Sequence, residues 1–115
     1  MSWTIWHNPR CSKSRQTLKL LQDQGVEPSI RLYLQDAPNA AEISQVVERL
    51  GVEPRALMRR KETLYKELNL KNDTLTAAQL VDAMAEHPAL IERPIVLNAE
   101  KAAVGRPPEN ILKLL

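Results

Sequence analysis

The sequence predicts an α/β fold, a mixed sheet flanked by helices, with a helical insertion between the second and third strands at about residues 39–90. Three observations predict it. The first third of the chain has a strand, helix and strand pattern, the middle has helical periodicity throughout, and the last third returns to short apolar runs before a final helix. With 115 residues, 43% of them hydrophobic, the chain can form one core. We therefore predict a single domain over residues 1–115.

The first strand and helix are predicted from a change in pattern near the N-terminus. Residues 2–6 are β-prone and end at the turn pair Asn8–Pro9. A helix is expected over residues 16–24, where apolar side chains recur on one face before Gly25. Apolar and polar side chains alternate over residues 29–34, which indicates a second strand, parallel to the first.

The middle section is predicted to be entirely helical. Two segments resemble capping boxes, Asn39 to Glu42 and Thr76 to Gln79, and each precedes an apolar stripe at helical spacing. Between them we expect a helix beginning at Pro54, a residue suited to a first helical turn, and a short helix over residues 64–68. The second stripe should end at His87, because Pro88 follows it.

The last third is predicted to supply a hairpin and a terminal helix. Residues 95–97 and 102–104 are short apolar runs separated by a polar turn, which favours an antiparallel pair. A helix should then begin near Pro107. The complete order describes an α/β sandwich of the thioredoxin-like, or glutaredoxin-like, type with a helical insertion.

Composition limits the class of protein. The net charge is only +2, with 26% charged residues, so the charge gives no argument for a nucleic-acid-binding surface. No apolar run approaches the ~20 residues of a membrane span, and no signal-peptide core is present. One cysteine cannot form an internal disulfide. We therefore expect a soluble, cytoplasmic monomer in a reducing compartment, with no membrane or nucleic-acid partner.

Cys11 is the residue most suggestive of chemistry. It stands between a predicted strand and a predicted helix, where unpaired N–H groups and the positive end of the helix dipole stabilise an anion. Arg10, Lys13 and Arg15 add positive charge nearby. A lone cytosolic cysteine is often an inert apolar residue, but this position favours a thiol of low pKa and nucleophilic sulfur chemistry on an oxyanion.

The segment Cys11-Ser12-Lys13-Ser14 resembles a CxxC motif in which serine replaces the second thiol. The chain therefore cannot resolve its own oxidised sulfur. A redox cycle needs an outside thiol, such as glutathione with a glutaredoxin. We predict no bound cofactor, with glutathione as the external reductant.

Three neighbours of Cys11 complete the predicted catalytic set. Ser14 could donate a hydrogen bond to the thiolate or simply cap the helix, and His7 could lower the thiol pKa or be a polar residue at a strand end. Arg15 is assigned with them, although the Cys-x5-Arg loop of low-molecular-weight phosphatases is not matched, because position 17 is threonine. With His87 the one other histidine, no metal-ligand set is predicted.

Arginines far along the chain are predicted to bind the oxyanion. Arg93 and Arg106 each precede a proline, which restricts the backbone at an element boundary and suits a fixed bidentate grip. In the predicted strand order both can face the Cys11 loop. Arg59 should lie at the margin of an inward-facing stripe, whereas its cationic neighbours are expected to be solvated surface charge.

Four spaced motifs together resemble the glutaredoxin-coupled arsenate reductase (ArsC) family, over nearly the whole chain. They are His7-Asn8-Pro9-x-Cys11-x3-Arg15, Arg55-Ala56-Leu57-x-Arg59, Glu92-Arg93-Pro94-Ile95-Val96 and Gly105-Arg106-Pro107. Ser12-Lys13 stands where plasmid-type members have Gly-Thr, so the chain is more similar to the short chromosomal type.

The resemblance implies a thioredoxin-like fold, a cis peptide bond before Pro94, and Arg59, Arg93 and Arg106 as oxyanion-binding residues. It further implies that the Cys11 thiolate displaces an oxygen of arsenate to form a Cys11–S–As(V) adduct. Glutathione and glutaredoxin then reduce this adduct, and arsenite is released.

Two other functions remain open from the sequence. Spx-type transcription regulators share the fold and contact RNA polymerase, but they usually carry CxxC and lack the full arginine set. A thiol oxidoreductase acting on another disulfide or oxyanion is the second alternative. The enzyme is favoured because this chain has CxxS and all three arginines.

Overall fold

The computed structural model describes residues 2–115 and divides them into two compact units. One unit contains the residues up to Asp36 and those from Arg93 onward, and we call it the sheet unit. The other is Ala37–Glu92, which we call the helical unit. Its bounds lie close to those predicted for the insertion.

The sheet unit contains four short strands. Its elements are β1 (Thr4–Trp6), α1 (Ser12–Asp23), β2 (Ser29–Arg31), β3 (Ile95–Leu97), β4 (Ala102–Val104) and a terminal 3-10 helix (Pro108–Leu114). The strand order is β2-β1-β3-β4. Strand β1 is parallel to β2, as predicted, and β3 is antiparallel to both β1 and β4.

These directions bring the functional segments to one edge of the sheet. The C-terminal ends of β1, β2 and β4 meet the N-terminal end of β3 there, because Trp6 is opposite both Arg31 and Ile95, and Ile95 is opposite Val104. We call this the active edge. The loops that follow β1, β2 and β4, and the loop that precedes β3, therefore lie side by side along it.

The apolar core of the sheet unit fixes α1 and the terminal helix against the strands. Buried members from every layer pack together: Ile5, Leu21, Val96, Ala103, Ile111 and Leu114. Ile5, Val96 and Ala103 are register partners across three adjacent strands. Removing these side chains from water stabilises the arrangement by roughly 1.5–3 kcal/mol for each large aliphatic residue.

The helical unit contains three α-helices and two 3-10 turns. Its elements are α2 (Ala40–Leu50), a 3-10 turn (Pro54–Leu57), α3 (Thr63–Glu67), α4 (Ala77–Glu86) and a second 3-10 turn (Pro88–Leu90). Both predicted capping boxes form, at Asn39 and at Thr76. An isolated antiparallel bridge between Met58 and Ile91 joins the two 3-10 segments.

Several element bounds differ from those predicted. Helix α1 begins at Ser12, four residues before the apolar periodicity begins. Strand β2 ends at Arg31, because the amides of Gln35 and Asp36 bond to the carbonyl of Leu32 and close a turn. The segments from Pro54 and Pro108 are 3-10 rather than α-helical.

The helices of residues 2–115 were compared with the length and hydropathy of membrane-spanning helices. None of them combines the length and the apolar character that crossing a bilayer requires.

Candidate active site

Cys11 occupies the N-cap position of α1, on the loop that leaves β1 at the active edge. Its amide donates to the carbonyl of Asn8 at 3.0 Å, and its carbonyl accepts from the amide of Arg15 at 3.0 Å. The earlier start of α1 directs the first helical N–H groups toward the sulfur. The thiol is free, and the residue is 9% exposed.

The surroundings of Cys11 stabilise its thiolate. Burial by itself raises the pKa of the thiol, but the backbone N–H of Ser14, the charge of Arg93, the backbone N–H of Lys13 and the charge of Arg106 act against it, and the net pKa is lowered. Arg106 makes the direct contact, since its Nη2 donates to Sγ at 3.6 Å. The sulfur is thus buried among donors.

Arg93 and Arg106 belong to the loops of β3 and β4, which lie on the side of β1 away from β2. They precede β3 and follow β4, and the Nε of Arg106 donates to the carbonyl of Arg93 at 2.7 Å, which joins the two loops. The bond before Pro94 is cis, as the resemblance implies, and so is the bond before Pro107. Two guanidinium groups from remote segments therefore act on one thiol.

His7 and Ser14 form a buried pair beneath the loop. Nδ1 of His7 lies 2.6 Å from Oγ of Ser14, and this oxygen also accepts from the amide of Asn8 at 3.0 Å. The Ser14 hydroxyl is therefore used within the loop, and the backbone N–H of Ser14 supports the sulfur instead. Burial lowers the pKa of His7, and the charge of Arg15 lowers it further, so the neutral imidazole is favoured.

Comparison with known proteins connects this site to a family. A family model described as the ArsC family matches residues 6–114. The chain belongs to the ArsC family.

Full-length relatives are similar in both sequence and fold. The arsenate reductase of Haemophilus influenzae is 52% identical over the whole of both chains. The uncharacterized protein YfgD of Escherichia coli K12 is 51% identical, over 96% of this chain and 94% of its own. A solved structure of an arsenate reductase from Vibrio cholerae is 52% identical, with a TM-score of 0.97 over 100% of this chain and 98% of the other. The predicted thioredoxin-like fold is confirmed.

Arg15, the remaining member of the predicted catalytic set, contacts the Cys11 loop on its exposed side. Its Nη1 donates to the carbonyl of Pro9 at 2.7 Å. It also contributes positive charge near His7. Arg15 therefore acts on the loop and on the imidazole.

Arg59, the third arginine of the ArsC motif set, belongs to the helical unit. Its Nη1 forms an ion pair with Oε2 of Glu62 at 3.2 Å, and its amide donates to the carbonyl of Leu90 at 2.7 Å. The backbone bond and the ion pair fix both ends of this residue within the helical unit. An oxyanion role for Arg59 remains a prediction.

A close approach between α1 and the loop after β4 is a feature that sequence reasoning missed. Thr17 is fully buried, and its Oγ1 donates to the carbonyl of Lys13 at 2.8 Å and to that of Gly105 at 3.4 Å. A Cβ on Gly105 would lie 3.0 Å or less from atoms of Thr17 and Pro94. Glycine is therefore required where the arginine-bearing loops meet the helix that carries Cys11.

Asn110 was also missed by the sequence analysis. Its Nδ2 donates to the carbonyl of Arg106 at 2.9 Å, which connects the terminal 3-10 helix to the arginine in contact with Cys11. A polar residue in the first turn of a predicted helix has a common role in capping, so its sequence position alone gave no signal.

The chemistry available to the described residues is nucleophilic. Within residues 2–115, no three His, Cys, Asp or Glu side chains are grouped so that they could hold a metal ion. The site instead combines a stabilised sulfur anion with two guanidinium groups. Such a set can attack the centre of a tetrahedral oxyanion while neutralising its charge.

Proposed function

We propose that this protein is an arsenate reductase that acts through the Cys11 thiolate. The observation that carries the proposal is the 3.6 Å contact between Nη2 of Arg106 and Sγ of Cys11. This contact places the guanidinium group that would bind the oxyanion beside the sulfur atom that would attack it. The arsenate reductase names of the Haemophilus influenzae and Vibrio cholerae relatives support the same activity.

In the proposed first step, Arg93 and Arg106 bind arsenate beside the thiolate, and Arg59 contributes a third guanidinium group. The sulfur then attacks arsenic, an S–As bond forms, and one As–O bond breaks with the oxygen leaving as water. This step gives a Cys11–S–As(V) adduct without a change in oxidation state. Charge-assisted contacts to the oxygens of the transition state lower the barrier.

The proposed second stage requires an external reductant, because Cys11 is the one cysteine of the chain. Two thiol equivalents, from glutathione and glutaredoxin, are oxidised to one disulfide while arsenic is reduced from As(V) to As(III). Over the whole cycle, one arsenate and two thiols give one arsenite, one disulfide and one water. We expect the protein to work where glutathione is kept reduced.

Phosphate should bind to the same arginines, because its charge and shape are close to those of arsenate. Discrimination must then come from the greater reactivity of arsenic toward sulfur, which is expressed in the transition state rather than in the bound complex. We therefore expect phosphate to be a competitive inhibitor without being turned over.

The direct test is a coupled assay with purified protein, arsenate, glutathione, glutaredoxin, glutathione reductase and NADPH. Wild-type protein should oxidise NADPH only when arsenate is present, and Cys11→Ser should abolish this oxidation. Lys101→Ala is the matched control, because Lys101 lies in the β3–β4 turn at the end of the sheet opposite the active edge. A flat trace for the wild type beside an active reference reductase would reject the proposal.

A further inference from the structure

A cavity of about 320 Å³ lies beside the C-terminal end of α3, within the helical unit. Five residues line it: Arg60, Tyr65, Lys66, Asn69 and Lys71. Its volume is near the lower end of the roughly 300–1,000 Å³ typical of small-molecule sites. None of the five takes part in the proposed reaction at Cys11.

The turn that ends α3 brings the lining residues together. Asn69 lies in the left-handed region, with φ of 53°, which asparagine adopts more readily than most residues other than glycine. Its amide donates to the carbonyl of Lys66 at 3.1 Å, and the amide of Leu70 donates to that of Tyr65 at 3.0 Å. This pattern closes the helix and reverses the chain. Side chains from before and after the reversal therefore line one cavity.

Arg55 holds the segment that follows the reversal. Its Nη2 donates to the carbonyls of Leu70 at 3.2 Å and Asn72 at 3.0 Å, and its Nε donates to the former at 3.3 Å. These bonds fix the main chain on both sides of Lys71. The position of Lys71 in the lining is thus set by contacts of the backbone.

The three cationic residues of the lining have no counter-charge. Arg60, Lys66 and Lys71 are exposed, and within residues 2–115 their charged ends form no hydrogen bond or ion pair. No aspartate or glutamate of that range lines the cavity, and Glu62, at the start of α3, is paired with Arg59. The carbonyls at the end of α3 do not need the cations, because amides of the turn already donate to them. The cavity therefore offers its positive charges to an anionic ligand.

Tyr65 adds a polar group that is almost buried and has no partner in the protein. The residue is 7% exposed and lines the cavity. Its hydroxyl forms no hydrogen bond within residues 2–115, yet it is not among the fully buried polar atoms without a partner, so it is accessible. Because the rest of the side chain is covered, the hydroxyl opens to the cavity. A tyrosine hydroxyl in such a place usually has a hydrogen-bond partner, and a ligand in the cavity would supply it.

We propose that this cavity binds a small organic phosphate, with the phosphate group against Arg60, Lys66 and Lys71. The hydroxyl of Tyr65 donates to one of its oxygens. A phosphate monoester carries a charge of about −1.5 to −2 at neutral pH and three strong acceptor oxygens, which matches several cations and a neutral donor better than a single carboxylate does. The site goes beyond the proposed function, because no step at Cys11 requires it.

The test is a titration of ¹⁵N-labelled protein with glycerol 3-phosphate, followed through the backbone amide signals in NMR spectra. Detection residue by residue is needed because phosphate should also bind at Arg93 and Arg106. Shifts at residues 65–71 report the cavity, and shifts at residues 11–15 report the Cys11 loop. Succinate, a dianion of similar size without a phosphate, is the matched control ligand at equal ionic strength.

We expect the amides of residues 65–71 to shift saturably with glycerol 3-phosphate, and succinate to bind there at least tenfold more weakly. Lys66→Gln and Lys71→Gln should each raise the dissociation constant about tenfold, because each removes a charge-assisted contact. Tyr65→Phe keeps the ring and should raise it about fivefold. Lys101→Gln, which removes the same charge from the β3–β4 turn, should leave it unchanged. A dispersed amide spectrum for each variant would confirm that it is folded.

A variant of the Cys11 site separates the two responses. Arg106→Ala should weaken the shifts at residues 11–15 and leave the dissociation constant at residues 65–71 as in the wild type. No saturable shift at residues 65–71 of the wild type, equal affinity for succinate, or an unchanged dissociation constant in both Lys66→Gln and Tyr65→Phe would overturn the proposal. None of these results depends on arsenate being the substrate.

A phosphate ester can reach the cavity as a free molecule or as a lipid headgroup. The free molecule is favoured because no aliphatic side chain is present in the lining to contact an acyl chain. Wild-type protein should therefore stay in the supernatant when vesicles containing phosphatidic acid are sedimented. Sedimentation with these vesicles that is lost in Lys66→Gln would show that the cavity binds a headgroup, and would overturn the assignment to a free molecule.

Discussion

At the scale of single residues, the site depends on how each polar group is paired. The Cys11 sulfur receives N–H donors and a guanidinium, whereas His7 is buried and held by Ser14. These environments move the two pKa values in the same direction with different consequences. The thiol becomes charged more easily, and the imidazole becomes charged less easily.

The His7 environment predicts a loss of stability in acid. Because the folded protein holds its proton more weakly than the unfolded chain, the free energy of unfolding should fall as pH drops from the ordinary His value of 6.5 through the lowered pKa. His7→Gln should flatten this dependence and cost about 1 kcal/mol near neutral pH through the lost contact with Ser14. Urea unfolding at about pH 5 and about pH 7.5 measures both effects.

The other histidine supplies the control for this titration. His87→Gln removes a histidine from the helical unit and leaves the His7 and Ser14 pair intact. Urea unfolding of His87→Gln at the same two pH values separates the effect of replacing any histidine from the effect of replacing His7. An unchanged pH dependence in His7→Gln would show that the imidazole does not couple to folding.

At the scale of elements, α1 lies close to the loop after β4, which carries Arg106. Gly105 makes this close approach possible, because a larger residue would meet Thr17 and Pro94. Gly105 also donates its amide to the carbonyl of Pro94 at 2.9 Å, so one residue connects both arginine-bearing loops. A displacement there should affect the chemistry as well as the packing.

Gly105→Ala should therefore lower the free energy of unfolding by about 1–3 kcal/mol through overpacking. It should also raise the pKa of Cys11, since Arg106 is the next residue and would move with the loop. Thr17→Ala removes two of the three atoms nearest to the added Cβ, so the double variant should lose less stability than the sum of the single variants. Strict additivity in urea unfolding would contradict the close approach.

The capping boxes are a second prediction at this scale. Thr76→Ala should lower the free energy of unfolding by about 1 kcal/mol, because its hydroxyl accepts from the amide of Gln79 at 3.2 Å. Thr63→Ala is the control, because α3 has no side-chain cap at its N-terminus. Equal losses of unfolding free energy in the two variants would show that the Thr76 cap contributes nothing.

At the scale of the whole molecule, the sequence predicted the strands of the hairpin, both capping boxes and the position of Cys11, because each depends on local pattern. It also predicted the approach of Arg93 and Arg106, since an arginine before a proline marks an element boundary. The start of α1 was missed because Ser12, Lys13 and Ser14 carry no apolar periodicity.

Contacts between distant residues could not be predicted. Thr17 meets Gly105 across 88 positions, and nothing local in either segment shows that they touch. The residues of the turn after β2 keep the apolar and polar alternation of a strand, but their backbone amides bond to a carbonyl within the turn. The alternation alone therefore could not show where the strand ends.

The central claim, a thiolate stabilised by remote arginines, is tested most directly by the pH dependence of Cys11 alkylation. Because the chain has one cysteine, the rate with iodoacetamide reports this sulfur alone. The midpoint for the wild type should lie below the ordinary thiol value of 9.0, Arg106→Ala should move it upward, and Lys101→Ala should leave it in place. A wild-type midpoint at or above 9.0, or the same midpoint in Arg106→Ala, would contradict that claim.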